Sequence, residues 1–282
     1  MKETFIKVSF KESSKTAYTY KEEEYVSNPR WQLLEQLFNA NYTNKVINGQ
    51  IPKKIHQIWL GGKFPKKYHK IQESWKRFHP DWEYYLWTDK EVKKLEMINR
   101  ELFSRTSNYG AKSDILRYEI LNQFGGLYVD TDFECFHPFD TIHEQCHFFA
   151  GLVYSEAPLL NNALIGSVAG HPVLKLCIDS LNTRIKEIDT TDPDSIMHNT
   201  GPQFFNECFF QTITAVQENV IPFPITYFYP LPNGERFLTN EEKIKSYIKP
   251  ESFALHYWYV SWFDNTLKSR IIRKIKKTFK IK

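Results

Sequence analysis

The chain has 282 residues, 41% of them apolar and 16% aromatic, which excludes a disordered protein and is enough for one large domain with a sizeable core. With only 11 Gly and 14 Pro, collagen-like and low-complexity classes are excluded as well. The formal net charge of +4 is unevenly placed: Lys268–Lys282 holds eight Lys/Arg and no acid, so the remaining 29 basic residues face 33 acidic ones and the body is net −4.

Residues 1–28 are polar and carry no clear pattern. Pro29 opens a periodic stretch, Trp31, Leu34, Leu37 and Phe38, that predicts a helix with proline in its first turn. Ile55–Leu60 predicts a strand running into Gly61-Gly62. Tyr68–Phe78 predicts a helix with Ile71, Trp75 and Phe78 on one face, broken by His79-Pro80-Asp81. Trp82–Trp87 follows as an aromatic strand, and Asp89–Phe103 as a second helix, then a loop over Ser104–Gly110. Ala111–Phe124 is the strongest helical segment, stopped by Gly125-Gly126, with Leu127-Tyr128-Val129 as a short buried strand behind it. In the second half, Phe148–Val153 and Phe253–Tyr259 read as strands, Pro172–Lys186 and Phe204–Gln217 as helices, and proline-rich Pro222–Gly234 as a surface loop or irregular edge. This alternation predicts an open α/β sheet. No repeat or linker interrupts it, so the expected organisation is one domain, residues 1–266, with a separate tail, 267–282.

Cys135, Cys146, Cys177 and Cys208 form no C-x-x-C pair, so a zinc ribbon or redox motif is not supported and free thiols are expected. Met1–Glu24 lacks the apolar run of a signal peptide, and no stretch approaches the ~18–20 apolar residues of a spanning helix. A cytoplasmic location is expected.

Chemistry concentrates at Asp130-Thr131-Asp132. In extended backbone, residues two apart project to one face, so two carboxylates at the end of an apolar strand can address one cation. In open α/β sheets ligands bind beyond the carboxyl ends of strands, and hard oxygen ligands suit Mg²⁺ or Mn²⁺ held together with phosphates. D-x-D is also common in surface turns; the apolar strand and the Gly-Gly helix stop ahead of it favour the metal reading. Asp114 and Arg117, three apart on the preceding helix, are either a surface ion pair or a hydroxyl acceptor and phosphate-binding fork overlooking the strand end. Tyr128 shares a strand face with Asp130 and is either a core ring or a donor near the metal. Trp59, before Gly61-Gly62, is either core packing or a platform for a nucleobase.

These residues together resemble a known family. Ile51-Pro-Lys-Lys-Ile-His-Gln-Ile-Trp59-Leu-Gly-Gly62 is similar to the opening signature of the family 32 glycosyltransferases, which carry a DXD sugar-binding motif. Ser113-Asp-Ile-Leu-Arg-Tyr-Glu-Ile-Leu121 and Gly125-Gly-Leu-Tyr-Val-Asp130-Thr-Asp132 resemble its central motif, and also the catalytic domain of the large clostridial glucosylating toxins. Asn162–Ser167, Gly170-His-Pro172, Thr200-Gly-Pro202 and His256-x-Trp258 with Ser261-Trp262 resemble its later blocks, with Val260 where the family usually has glycine. The resemblance implies a GT-A type, Rossmann-like α/β fold with a mixed sheet. It implies a retaining, Mn²⁺- or Mg²⁺-dependent transferase moving a hexose, UDP-linked rather than GDP-mannose, to a glycan acceptor. It assigns Trp59 to the base, and Asp114, Arg117, Tyr128, Asp130 and Asn162 to the donor. Asp132, Asp130 and His256 fall to the metal, and Trp258 or Trp262 to covering the pyrophosphate.

Two other classes compete. A haloacid-dehalogenase-like phosphohydrolase also uses an aspartate pair after a strand, but it expects Thr or Val where this chain has Glu134. A non-catalytic membrane-surface module leaves the acidic constellation idle. The tail carries Leu267, Ile271, Ile272, Ile275 and Phe279 at helical spacing among its basic residues, the pattern of an amphipathic helix lying on anionic lipid. It places the enzyme at the inner face of the plasma membrane beside a lipid-linked oligosaccharide of capsule or O-antigen synthesis. Nucleic acid is not expected, because the body is acidic and has no binding motif.

Overall fold

The structure is a computed structural model and describes residues 5–10, 25, 27–43 and 45–259. Chain order begins with α1 (Phe5–Ser9) and α2 (Pro29–Asn41), the latter capped by the Asn28 side chain and started by Pro29, with Trp31, Leu34, Leu37 and Phe38 buried as its periodicity requires. The polar N-terminus is therefore not without structure: Phe5 and Ile6 lie in the core.

Strand β1 (Lys54–Ile58), α3 (His69–Phe78) and β2 (Glu83–Trp87) form a parallel crossover unit. The single helix expected over Asp89–Phe103 is two short ones, α4 (Asp89–Val92) and α5 (Arg100–Arg105). The Thr88–Glu91 capping box starts α4, and Glu119 then accepts the backbone N–H groups of Ile98 and Asn99. A buried carboxylate that takes backbone donors in this way stabilises a turn that periodicity does not reveal. Helix α6 (Tyr109–Phe124) ends at Gly125, φ 60°, and delivers the chain to β3 (Gly126–Val129), parallel to β1.

Then follow β4 (Phe133–Cys135), α7 (Asp140–His143), β5 (Phe148–Leu152) and β6 (Leu160–Ser167). Next come α8 (Pro172–Thr183), α9 (Pro193–Asn199) and α10 (Pro202–Ile213), and finally β7 (Val220–Phe223), α11 (Ile225–Phe228), α12 (Glu241–Tyr247) and β8 (Ala254–His256). The central sheet has the order β2-β1-β3-β6-β5-β7, with β6 antiparallel to both β3 and β5: a mixed six-stranded sheet, as expected for this fold class. A two-stranded antiparallel sheet, β4 with β8, stands beside it.

Two features of the second half depart from the sequence pattern. Strand β6 is buried along all eight residues, so it shows no alternation to reveal it. Pro222 lies in edge strand β7, where a missing N–H is tolerated, and Phe223, Ile225, Phe228 and Tyr229 beyond it are core residues rather than a surface loop. The second strand expected over Phe253–Tyr259 is three residues long. All four cysteines are free, as expected, and all four are buried. Among the described residues no helix is long and apolar enough to cross a membrane.

The candidate active site

Because β1, β2 and β3 are parallel, their carboxyl ends meet on one edge, which places Trp59, Thr88 and Asp130 side by side. The His56-Gln57 pair of the opening motif braces this edge from within. His56 Nε2 is 3.0 Å from the Gly125 carbonyl and its Nδ1 accepts from the Trp87 indole, while the Gln57 amide donates to the Asp130 carbonyl. Burial pushes the His56 imidazole down to about 4, so it stays neutral and structural.

Asp130-Thr131-Asp132 is a turn rather than extended strand, so alternation is not what aligns its carboxylates. The turn hands the chain to β4, whose Phe133 pairs with His256 of β8. Across that pair His256 Nε2 sits 3.1 Å from Asp132 Oδ1, and the Tyr259 N–H donates to Asp132 Oδ2 at 2.7 Å. Ligand atoms of Asp130, Asp132 and His256 all lie within 4.8 Å of one another. The His256 ring stacks on Phe133 at 4.3 Å, and its buried Nδ1 has no partner. Two carboxylates and an imidazole suit Mn²⁺, with Mg²⁺ less well matched to the nitrogen.

Asp114 and Arg117 are not a helix-surface pair: they are 6% and 4% exposed. The Arg117 guanidinium lies over the Tyr128 ring at 4.5 Å and bridges Asp114 Oδ1 at 3.1 Å to Asp130 Oδ1 at 3.4 Å. Tyr128 gives its hydroxyl to Asp130 Oδ1 at 2.6 Å, so it fixes that carboxylate and its ring is already covered by arginine. The N–H of Asp130 donates to the Ala163 carbonyl, which brings Asn162 of β6 against Asp114. The Asn162 side-chain amide donates to Asp114 Oδ1 and to Tyr118 Oη, both at 2.9 Å, and the Asn162 main-chain carbonyl accepts from Arg117. Thr200, at the end of α9, donates to Asp114 Oδ2 at 3.1 Å, and a Cβ on Gly201 would sit 3.4 Å from the same oxygen. Burial raises the Asp114 carboxyl to about 6, against the pull of Arg117. Neighbouring Asp130, Tyr128 and Asp114 hold Arg117 firmly cationic in spite of its burial.

Trp59 is half-buried, edge-on to Phe64 and tilted on Tyr68, and Tyr68 reaches Tyr259 beside Asp132. Trp258, with φ 59°, packs on His256 at 4.1 Å and gives its indole N–H to the Leu231 carbonyl, so it supports His256 from behind. Trp262 lies outside the described residues. Neither Tyr118 nor the Thr200 hydroxyl has a role expected from the sequence. Tyr118 stands four residues from Asp114 on the same helix face, a spacing that points to it; Thr200 is marked only by the Thr200-Gly-Pro202 block that resembles the family's.

Comparisons with known proteins identify the family and the fold. Residues 65–149 match the model of the glycosyltransferase sugar-binding region containing a DXD motif. The chain is 31% identical over 251 residues to inositol phosphoceramide mannosyltransferase 2 of Schizosaccharomyces pombe, covering 79% of this chain and 71% of that protein. It is 29% identical over 177 residues to inositol phosphoceramide mannosyltransferase 3 of the same yeast, covering 58% of this chain and 47% of that one, so it spans about half the length of that relative. In fold it is similar to the catalytic domain of the α-toxin of Clostridium novyi, with a TM-score of 0.54 and 11% identity over 90% of this chain and 89% of that one. The chain belongs to the family of glycosyltransferases with a DXD sugar-binding region.

Proposed function

We propose that this protein is a metal-dependent, retaining glycosyltransferase that moves a hexose from a nucleotide-diphosphate sugar to an acceptor carried on a lipid. The observation that carries the reading is the convergence of Asp130, Asp132 and His256 beside the buried Asp114–Arg117 pair at one edge of the sheet. Mn²⁺ held there by Asp132, Asp130 and His256 would supply Lewis-acid stabilisation to the departing diphosphate. Trp59 offers the base its ring, and Asp114 Oδ2, which has one donor from Thr200, keeps acceptor capacity for a sugar hydroxyl. In the transfer, the acceptor oxygen bonds to the anomeric carbon as the bond from that carbon to phosphate oxygen breaks, and the acceptor proton passes to the leaving phosphate. Every carboxylate of the cluster is already engaged: Asp114 by Asn162 and Thr200, Asp130 by Tyr128 and Arg117, Asp132 by His256 and Tyr259. That engagement favours attack from the face the leaving group departs over a covalent enzyme intermediate.

The named relatives act as mannosyltransferases on inositol phosphoceramide, which favours mannose as the hexose and a phosphate-bearing lipid as the acceptor. A UDP-linked hexose, the expectation from the toxin-like motif, and a capsule or O-antigen intermediate, the expectation from the basic tail, form the second arm of a donor and acceptor panel. Residues 1–266 form the catalytic unit in this reading. The basic stripe of 267–282, outside the described residues, holds it at the inner face of the plasma membrane. Release of nucleoside diphosphate from a nucleotide-sugar panel in Mn²⁺, abolished in Asp132→Ala, tests the activity; no turnover and no Mn²⁺-dependent nucleotide-sugar binding would overturn it. Removing residues 268–282 is expected to leave donor binding intact and abolish sedimentation with anionic liposomes.

A further inference from the structure

Between Gly61 and Gln72 the chain has four lysines, Lys63, Lys66, Lys67 and Lys70, and no acid. All four are exposed, and among the described residues none is in an ion pair, whereas Lys53, Lys76, Lys243 and Lys245 each have an acidic partner. The next acid along the chain, Glu73, is paired with Lys76. On a body of net −4 this segment is a local reversal of charge. Its placement is specific. It leaves the carboxyl end of β1 through Gly61 and Gly62, both in left-handed backbone, with open space around Gly62 and the turn held by Asp89 on the Gly61 N–H. Tyr68 is buried beneath it, which turns the flanking lysines outward. The Lys67 ammonium lies over the Tyr68 ring at 4.7 Å and the Tyr259 ring at 5.6 Å, and the Tyr259 N–H is the donor to Asp132 Oδ2. Lys67 therefore borders the carboxylate cluster, and the other three lysines flank it on the same segment.

We propose that Lys63, Lys66, Lys67 and Lys70 form the acceptor platform, receiving the phosphodiester headgroup of a lipid acceptor so that its hydroxyl enters beside Asp132. The proposal rests on the transferase reading. Ammonium groups act on phosphate as point charges without a fixed fork, which fits a headgroup that slides in from a membrane surface. Each lysine next to an anionic lipid surface is worth about fivefold in affinity.

The test uses the full chain with Lys63, Lys66, Lys67 and Lys70 all changed to Gln. As a control of equal charge loss, Lys45, Lys94, Lys175 and Lys186, exposed elsewhere, are changed to Gln. Affinity for phosphatidylcholine vesicles with and without phosphatidylinositol is measured without donor, and nucleotide-sugar hydrolysis in Mn²⁺ is measured without acceptor. The platform variant is expected to lose at least about 25-fold in affinity for the phosphatidylinositol vesicles relative to the control. Its nucleoside diphosphate Kd and its hydrolysis should stay within about twofold of the wild type. Equal vesicle binding by the two variants overturns the platform, and so does a loss of nucleoside diphosphate affinity confined to the platform variant, which would assign the lysines to the donor. Loss of vesicle binding in a protein that neither turns over nor binds a nucleotide sugar in Mn²⁺ supports these lysines as a headgroup site and overturns the transferase reading instead.

Discussion

His256 holds its Nε2 3.1 Å from Asp132 Oδ1 although 124 positions separate the two residues. The short β4–β8 ladder makes the meeting possible, since Phe133 and His256 are register partners and Phe133 then stacks on the imidazole it has brought in. Removing the imidazole should weaken the metal site without dismantling the fold. His256→Ala is expected to lower Mn²⁺ affinity by at least about tenfold, and Asp132→Ala to abolish it, with circular dichroism unchanged. Titration calorimetry with Mn²⁺ alone checks both, and unaltered affinity in His256→Ala would remove it from the ligand set.

Ionised, Asp114 accepts hydrogen bonds at both oxygens; a proton turns one of them into a donor and weakens its hold on a sugar hydroxyl, and burial has raised its carboxyl to about 6. Donor binding is therefore expected to fall as pH drops through about 6, well above the ordinary carboxylate range. Stability has the opposite sign: the folded state holds this proton more tightly than the unfolded chain, so Asp114 costs stability as pH rises from about 4 to 6 and favours folding below that window. Asp114→Asn should abolish the acid limb of donor binding, and a pH series of donor Kd for both proteins decides it.

Thr200 fixes the outer oxygen of that carboxylate. Thr200→Val is expected to raise donor KM about five- to tenfold with a smaller change in kcat, and Thr200→Ser to restore it. An equal loss in both variants would point to packing of the methyl group instead of the hydroxyl.

Trp59 presents its half-buried indole at the end of β1. Trp59→Ala should cost about 1–3 kcal/mol of nucleoside diphosphate affinity while leaving Mn²⁺ affinity unchanged. Competition binding against a labelled nucleotide measures it.

Gly126 combines φ 102° with a position where a Cβ would lie 2.7 Å from the Lys54 carbonyl oxygen. Backbone clash and left-handed strain act together there, so Gly126→Ala is expected to lose about 2–4 kcal/mol. Chemical denaturation should show a lower midpoint at an unchanged slope.

Much of the first half of this fold could be read from the chain, because the relevant signals are local. Trp31, Leu34 and Phe38 repeat at helical spacing behind a proline, and Gly125-Gly126 end a helix where left-handed backbone is required. Residues that break or hide a period were not legible. Leu160–Ser167 is buried on both faces and has no alternation, and Asp89–Arg105 splits in two because Glu119, from another helix, takes the turn's N–H groups. By itself the sequence determined which residues are candidates, Asp130, Asp132, Asp114, Arg117 and Trp59, and that the carboxylate pair follows a strand behind a helix, since helix and strand periods and the glycine stop depend only on near neighbours. Only the tertiary structure decided that Asp114 and Arg117 are buried, that Tyr118 and Thr200 join Asn162 around Asp114, and that His256, which the family resemblance assigns to the metal, lies against Asp132. Those relationships come from β3–β6 and β4–β8 pairing, in which distant segments exchange hydrogen bonds that leave no mark on the local sequence.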